Sequence, residues 1–164
     1  MEQLETLSNQ ISFATDGSQY LTFRLAQEEY GVEILKVQEI KGYSAITPIP
    51  NTPSYLKGVM NLRGTIVPVV DLRSKFAMEE AEYNQFTVII VAKVGPKVMG
   101  LIVDAVSDVL NIPTADVQAT PDFGAEVDAR YINGMAKAGD KLVVLLDIDR
   151  VMNAVDDPSL AMAS

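Results

Sequence analysis

The stretch Ile66-Val-Pro-Val-Val-Asp-Leu72 recurs 76 residues later as Leu142-Val-Val-Leu-Leu-Asp-Ile148. At the same spacing, Thr52-Pro-Ser-Tyr-Leu-Lys-Gly58 recurs as Asp128-Ala-Arg-Tyr-Ile-Asn-Gly134. The paired segments share a tyrosine, a glycine and an aspartate in the same order, which apolar patterning alone does not produce. These segments predict a chain built from two similar halves.

Two earlier pairs of segments extend the repeat toward the N-terminus. Residues 19–26 align with residues 85–92, and residues 30–40 align with residues 99–109. The spacing grows from 66 to 69 to 76 residues along the chain, as insertions in loops would produce. The predicted division is a flexible N-terminal tail over 1–18, a first half over 19–84, a second half over 85–155 and a C-terminal tail over 156–164.

Strands dominate both halves. Short apolar runs rich in β-branched residues alternate with Gly, Pro and Asp turns, and they predict about five strands in each half. Small all-β units avoid exposed strand edges by closing into barrels, so we predict an all-β fold of two small packed barrels. Pro68 cannot donate a ladder hydrogen bond, and its strand is expected at a sheet edge or with Pro68 facing outward.

A short helix is predicted before each repeated glycine. Thr52 can cap a helix, Pro53 suits its first position and Gly58 suits a left-handed exit. The pattern therefore predicts one or two helical turns over residues 53–57. Asp128 and Gly134 repeat the arrangement in the second half.

The aspartates that end the repeated strands have a second interpretation. Asp147 and Asp149 are two residues apart, which on a strand would place both carboxylates on one face, as acid–base or metal chemistry needs. Asp71, the equivalent of Asp147, has no such neighbour. Helix capping is therefore the favoured role for Asp71 and Asp147, with short helices over residues 72–76 and 148–154.

Composition excludes several classes of function. The chain has no His and no Cys, which removes the commonest general base, the commonest transition-metal ligand and every thiolate site. We expect no catalytic residues, no metal site and no cofactor. With 22 acidic against 13 basic residues, nucleic acid is an unsuitable partner. An acidic start and the lack of long apolar runs predict a cytoplasmic protein without direct membrane insertion.

One arginine and one apolar segment are candidate contact sites. Arg63 lies before the turn glycine Gly64, and its repeat equivalent is Gly139, so the repeat does not demand an arginine. It is a solvated turn residue, a partner of Glu39 in an ion pair, or a donor to a binding partner. Residues 32–43 hold more apolar side chains than one strand face buries, and any surplus would form a partner-binding patch.

Several short motifs, found between Tyr20 and Asn153, resemble the coupling proteins of bacterial chemotaxis, the CheW family. The motifs are Lys36-Val-Gln-Glu-Ile40, Gly42-Tyr43, Asn51-Thr-Pro53, Lys57-Gly58, Asn61-Leu-Arg-Gly64, Val67-Pro-Val-Val-Asp-Leu72 and Val106-Ser-Asp-Val109. The resemblance implies two SH3-like five-stranded β-barrel subdomains around a shared core. Only the first half carries the Asn-Leu-Arg motif, so its role is not transferred to the second half.

The resemblance also implies a function and two sets of site residues. It implies a non-catalytic adaptor that couples the cytoplasmic tips of methyl-accepting chemoreceptors to the regulatory domain of the histidine kinase CheA, recruited to receptor arrays at the inner face of the membrane. The kinase itself carries a related module but needs a phosphorylatable His, which this chain lacks. The implied receptor-side residues are Val37, Glu39, Arg63 and Val109, and the implied kinase-side residues are Gly42, Tyr43, Lys57 and Gly58.

Two other classes of function stay open at the level of sequence. A small-ligand or oligosaccharide-binding β-barrel protein would be favoured by exposed aromatic platforms, although Trp is absent and aromatics are only 7% of residues. An enzyme built on an acidic pair would be favoured by a divalent ion or a deep pocket between Asp147 and Asp149.

Overall fold

The computed structural model describes residues 18–44, 46–79, 82–118 and 131–153. The predicted tails and the predicted cap Asp128 lie outside these ranges, except that Ser18 begins the first strand. The strands are β1 (Ser18–Leu25), β2 (Glu28–Glu33), β3 (Val37–Gly42), β4 (Leu56–Leu62), β5 (Thr65–Asp71), β6 (Val88–Val94), β7 (Lys97–Val103), β8 (Ala105–Ile112), β9 (Ile132–Ala138) and β10 (Lys141–Leu146). Two α-helices, α1 (Leu72–Lys75) and α2 (Ile148–Asn153), and two 3₁₀ turns, Ile34–Lys36 and Thr114–Asp116, complete the described elements.

The strands form two sheets of five. Sheet A has the order β8-β1-β2-β10-β9, and sheet B has the order β3-β6-β7-β5-β4. Replacing each strand of sheet A by its equivalent in the repeat gives the order of sheet B. The parallel pairs are also equivalent, β2 with β10 and β5 with β7. The predicted all-β fold, with five strands in each unit and a few short helices, is confirmed.

Each sheet contains strands from both halves of the repeat. The hairpin β1–β2 belongs to the first half but pairs with β8 and β10 of the second, and the hairpin β6–β7 pairs with β3 and β5 of the first. Both flanks of each hairpin thereby have their backbone hydrogen-bonding groups paired. The division into 19–84 and 85–155 is therefore a division of the sequence repeat, and the sheets divide the chain differently.

In each sheet, one isolated bridge links the strand at one edge to a residue beyond the strand at the other edge. In sheet B the backbones of Thr47 and Val59 exchange two hydrogen bonds of 2.9 Å, and in sheet A those of Gln118 and Met135 exchange two of 2.8 Å. Beyond these single bridges, the closure of the strands into two barrels stays a prediction.

One hydrophobic core lies between the sheets and joins them. Its fully buried members come from both sheets and from the short helices; examples are Leu21, Phe23, Tyr30, Leu72, Ile90, Leu101 and Val151. Each sheet also has a smaller hydrophobic cluster of its own. The cluster of sheet B includes Met60, Val69 and Ile89, and that of sheet A includes Tyr20, Val143 and Leu145. The shared core agrees with the implication of the resemblance.

The helix predicted over residues 53–57 is wrong. Leu56 donates its N–H to the Pro53 carbonyl at 3.0 Å, which closes a turn, and the Thr52 hydroxyl donates to the Ile49 carbonyl instead of capping. Leu56 is buried and begins β4, so strand pairing replaces the short helix. Gly58 has the predicted positive φ, +147°, but it lies inside β4.

Of the two placements predicted for Pro68, a strand at the sheet edge is not the one present, whereas Pro68 is less buried than Val67 and Val69 on either side of it, as an outward-facing residue would be. β5 lies between β4 and β7. Pro68 is opposite Val59 of β4, and pairing with β7 begins one residue later, at Val69. Pro68 thus stands outside the parallel ladder, where a missing N–H costs no hydrogen bond to β7.

The predicted caps of the two short helices are present. The carboxylate of Asp71 accepts hydrogen bonds from the N–H groups of Arg73 and Ser74, at 2.9 and 3.4 Å. Asp147 accepts one from the N–H of Arg150, at 3.2 Å. Both aspartates of the repeat therefore cap a helix that follows the last strand of their half.

The repeated tyrosines are equivalent in their contacts as well. The Tyr55 carbonyl accepts the N–H of Asp71 at 2.9 Å, and the Tyr131 carbonyl accepts that of Asp147 at 2.8 Å. The ammonium of Lys75 lies 4.5 Å from the centre of the Tyr55 ring and 5.2 Å from that of Tyr131. One lysine therefore links equivalent tyrosines of the two halves through cation–π contacts.

Candidate partner-binding surfaces

Arg63 occupies a strained turn at the tip of the β4–β5 hairpin. Arg63 and Gly64 form a two-residue connection in which both φ angles are positive, +49° and +88°, as tight hairpins require. The Asn61 side chain accepts the Gly64 N–H at 2.7 Å and fixes the turn. Gly139, the repeat equivalent of Arg63, has φ +63°, so glycine suits this position and arginine is disfavoured there.

The guanidinium of Arg63 donates a hydrogen bond to the carboxylate of Glu39, and the two form an ion pair. This hydrogen bond raises the pKa of Arg63 above its ordinary value. The Arg63 side chain is 67% exposed, against 25% for Glu39. Of the three roles open from the sequence, the ion pair is present, and the exposed guanidinium is also accessible to a partner.

The other two receptor-side residues are more deeply placed. Val37 begins β3 and is half-buried against the shared core, whereas Val109 in β8 is a buried member of that core. β3 and β8 are equivalent strands at an edge of sheets B and A. The receptor-side set thus combines two accessible charged groups with two valines of one core cluster.

The apolar surplus predicted in residues 32–43 is Leu35. Ile34 is buried, and Val37 and Ile40 pack against the same core, as predicted for most of the segment. Leu35 is 91% exposed, in the 3₁₀ turn that leads into β3. An exposed leucine therefore lies two residues before Val37, one of the predicted receptor-side residues.

The kinase-side residues Gly42 and Tyr43 lie at the end of β3. Tyr43 donates its N–H to the Thr87 carbonyl at 3.2 Å and is 42% exposed. Its ring packs against that of Tyr83, with 4.6 Å between the ring centres. A Cβ added at Gly42 would meet no atom within 4 Å, so this position is open to solvent.

Lys57 and Gly58 lie at the start of β4, the other edge strand of sheet B. The register between β4 and β5 shifts at Lys57, which makes it a bulge residue. A Cβ added at Gly58 would lie 2.1 Å from the Thr47 carbonyl oxygen, so only glycine permits the Thr47–Val59 bridge. The predicted kinase-side residues therefore lie on or next to the two edge strands of sheet B, and Gly58 has a structural role.

A cleft of about 690 Å³ opens between the sheets. Several of its polar groups pair with one another: Arg73 with Asp104, Lys141 with Glu29 at 3.7 Å, and the Tyr83 hydroxyl with Asp71 at 2.6 Å. The hydrogen bond from Arg73 to Asp104 raises the pKa of Arg73 above its ordinary value. These pairings stabilise the cleft walls and occupy groups that a small ligand would need.

The two carboxylates considered for acid–base chemistry have separate structural partners. Asp147 caps α2 and approaches the Arg150 guanidinium at 3.4 Å, whereas Asp149 forms an ion pair with Lys36 at 3.0 Å. Among the described residues, no group of three or more acidic side chains could hold a metal ion. None of the described helices has the length and hydropathy needed to cross a bilayer.

A sequence profile of the CheW-like domain matches residues 19–156, which include every described element except the first residue of β1. The chain belongs to the CheW family. This result confirms the resemblance drawn from the short motifs of the sequence.

Two relatives of this CheW-family chain carry the name chemotaxis protein CheW. Chemotaxis protein CheW of Klebsiella aerogenes is 43% identical over 154 residues, covering 94% of this chain and 92% of the relative. Chemotaxis protein CheW of Rhizobium meliloti is 38% identical over 135 residues, covering 82% and 87%. The crystal structure of the scaffolding protein TtCheW from Thermoanaerobacter tengcongensis superposes with a TM-score of 0.75 at 33% identity, covering 80% and 85%.

The sequence alone missed some structurally important residues of this CheW-family chain. Arg73, Asp104 and Tyr83 form pairs in the cleft wall, but their side chains are of ordinary types at ordinary spacings. The sequence feature that could have drawn attention to Arg73 is its alignment with the oppositely charged Asp149 in the repeat.

Proposed function

We propose that this chain is a non-catalytic adaptor that couples the cytoplasmic tips of methyl-accepting chemoreceptors to the regulatory domain of the histidine kinase CheA. In this proposal it resides in the cytoplasm and is recruited to receptor arrays at the inner face of the membrane. Membership of the CheW family and similarity to a structure titled as a scaffolding protein support the adaptor role.

The observation that carries the proposal is the conformation of Arg63. An arginine occupies a turn position where the repeat has glycine, with φ +49°, and its guanidinium is held on Glu39 at an exposed site. Backbone strain of this kind persists where the surrounding structure or the function requires the side chain. A bidentate guanidinium is suited to carboxylates and carbonyls of a partner, and arginine is enriched among residues that dominate binding.

The receptor-side surface of the proposal comprises Val37, Glu39, Arg63 and Val109. A receptor tip is a helical hairpin, and the apolar face of a helix can dock between two sheets by the helix-in-groove mode. Val37 and Val109 would act mainly by shaping the floor of this surface, because both pack in the shared core. Glu39 and Arg63 would supply its accessible polar contacts.

The kinase-side surface of the proposal comprises Gly42, Tyr43, Lys57 and Gly58. Tyr43 would be its principal contact, because its ring is partly exposed and is backed by Tyr83. Two separate surfaces would let one adaptor bind both partners at once. Contacts of ordinary size, each individually weak, would then gain strength from repetition in an array.

Co-sedimentation of three components tests the proposed function. The chain is mixed with a receptor signalling fragment assembled on vesicles and with the kinase, and each component is omitted in turn. We expect the kinase to sediment and to be activated only when receptor fragment and adaptor are both present. Sedimentation and activation of the kinase to the same extent without the adaptor would contradict the proposal.

A further inference from the structure

Along its described strands, the chain passes between the sheets twice. It leaves sheet A through the 3₁₀ turn Ile34–Lys36, which joins β2 to β3. It returns to sheet A through Asp104, the single residue between β7 and β8. These two crossovers set how β3 and β8 stand relative to each other.

The crossover at Asp104 is fixed by an ion pair to α1. Arg73, the second residue of α1, donates to both carboxylate oxygens of Asp104, with 2.7 Å from its Nε. The same carboxylate accepts the N–H of Ala26 at 2.9 Å, and the Asp104 N–H donates to the Arg24 carbonyl at 3.0 Å. The side chains of the pair are 17% and 22% exposed.

The crossover at Lys36 is fixed by an ion pair to α2. The Lys36 ammonium lies 3.0 and 3.4 Å from the two carboxylate oxygens of Asp149, the second residue of α2. Here the side chains are 30% and 45% exposed.

The helix members of the two ion pairs are equivalent in the repeat and opposite in charge, whereas the crossover members are offset by one position, since Lys36 aligns with Ala105 and Asp104 with Leu35. Arg73 aligns with Asp149, and each lies one residue after the start of its helix. The helix supplies the cation in one pair and the anion in the other. Each ion pair therefore joins the second residue of a short helix to a crossover, and each links a residue of the first half of the repeat to a residue of the second.

Both crossovers lead directly into strands that carry the proposed receptor-side residues. Val37 follows Lys36 in the chain and begins β3, which also carries Glu39. Ala105 follows Asp104 and begins β8, which carries Val109. Any shift of a crossover would thus be transmitted to the receptor-side surface within a few residues.

We propose that the Lys36–Asp149 and Arg73–Asp104 pairs are positioning pairs, which hold β3 and β8 in the relative placement that receptor binding requires. The functional part of this inference rests on the proposed receptor-binding role, whereas the placement of the strands does not. The residues of both pairs act through the strands that follow the crossovers and make no contact with the receptor themselves.

The test uses the Lys36–Asp149 pair, which is more exposed than the Arg73–Asp104 pair. Because a charge reversal at an exposed site buries no unpaired charge, the variants are expected to fold. The variants are Lys36→Glu, Asp149→Lys and the double variant carrying both substitutions, which reproduces the charge direction of the other pair. Lys137→Glu is the control, because it makes the same charge change at an exposed residue of β9, a strand that neither crossover enters. Thermal midpoints establish that each variant is folded.

Strand placement is measured without any partner. The chain contains no cysteine, so spin labels can be attached specifically at Gln38→Cys on β3 and Asn111→Cys on β8, two exposed positions. We expect Lys36→Glu to shift or broaden the label-to-label distance distribution, the double variant to restore it and Lys137→Glu to leave it unchanged.

Partner binding is then measured for the same proteins without labels. We expect Lys36→Glu to weaken binding to a receptor signalling fragment about threefold to tenfold, and the double variant to restore it; kinase regulatory-domain binding is measured alongside, because β3 also carries Gly42. Unchanged label distances in Lys36→Glu, or failure of the double variant to restore them, would overturn the positioning role. Equal losses toward both partners that persist in the double variant would also overturn it. If the wild-type chain does not bind the receptor fragment, the proposed function fails, while the label distances still decide the positioning.

Discussion

Arg63 donates a hydrogen bond to the carboxylate of Glu39 across the two edges of sheet B. Glu39 belongs to β3 at one edge, and Arg63 lies at the tip of the hairpin that begins with β4 at the other edge. The pair and the Thr47–Val59 bridge therefore hold the same two edges together. A loss of receptor binding on substitution of Arg63 could arise from structure or from contact, and the two must be separated.

Replacing Arg63 by glycine separates the two roles. Glycine adopts φ +49° without strain and is already present at the equivalent Gly139, so the thermal midpoint of Arg63→Gly should stay close to that of the wild type. Binding to a receptor signalling fragment should fall at least about fivefold, because the guanidinium is lost from an accessible site. Arg63→Glu should weaken binding further, since it adds a negative charge beside Glu39.

Ala77→Gly is the matched control for the turn substitution. Ala77 is another described non-glycine residue with positive φ, +58°, and it lies beyond α1. Its replacement relieves the same kind of backbone strain without touching the Glu39 pair, so receptor binding should be unchanged. Wild-type receptor binding by Arg63→Gly would remove Arg63 from the receptor-side surface.

Gly58→Ala should destabilise the protein, whereas Gly42→Ala should leave its stability nearly unchanged. A Cβ at Gly58 would lie 2.1 Å from the Thr47 carbonyl oxygen in a residue with φ +147°, so Gly58→Ala should lower the free energy of unfolding by about 2 kcal/mol or more. The methyl group added in Gly42→Ala meets open space, so this variant should change the free energy of unfolding by less than about 0.5 kcal/mol. Urea denaturation monitored by tyrosine fluorescence measures both values.

Kinase binding by Gly42→Ala then tests the contact role of this surface. Because the variant is expected to be as stable as the wild type, reduced binding to the kinase regulatory domain would place Gly42 at the interface. Unchanged binding would restrict the kinase-side surface to Tyr43 and Lys57. Similar stabilities for Gly58→Ala and Gly42→Ala would contradict the packing argument.

The repeat and the local capping signals were sufficient to predict much of the fold. Asp71 and Asp147 were identified as caps because a cap needs only the residues that follow it. The same local logic failed at Thr52 and Pro53, where Leu56 pairs with Val70, a residue far along the chain, and becomes strand. The exchange of hairpins between sheets was equally inaccessible, because an apolar strand has the same pattern whichever neighbour it pairs with.

The contacts at the candidate sites also fall into two groups, those that the sequence predicted and those that only the folded chain shows. An ion pair between Arg63 and Glu39 was one of the roles considered for Arg63 from the sequence, because both residues stood in motifs. The structure contains this ion pair. Arg73 and Asp104 were missed because only the folded topology joins residues 31 positions apart. Leu35 could not be told from its buried neighbour Ile34, since the 3₁₀ turn that separates their environments leaves no periodic signal.

Asp71→Ala should destabilise the protein more than Asp147→Ala, although the two residues are equivalent in the repeat. Both substitutions remove a helix cap, at a cost of about 1 kcal/mol. Asp71 is also buried and accepts the Tyr83 hydroxyl at 2.6 Å, so its loss should cost about 2 kcal/mol more. Chemical denaturation of the two variants gives the difference, and equal losses would show that the Tyr83 contact adds no stability.

Leu35→Ser should weaken receptor binding without affecting stability. The side chain is 91% exposed and contributes almost no buried area, so the free energy of unfolding should change by less than about 0.5 kcal/mol. Its position two residues before Val37 places it at the rim of the proposed receptor-side surface, where an apolar contact with a helix would be lost.

Leu142→Ser removes a leucine that is 60% exposed in the cleft wall and serves as the control. Calorimetric titration with a receptor signalling fragment should show a loss of about threefold or more for Leu35→Ser only. An equal loss for Leu142→Ser would point to general surface hydrophobicity and remove Leu35 from the receptor-side surface.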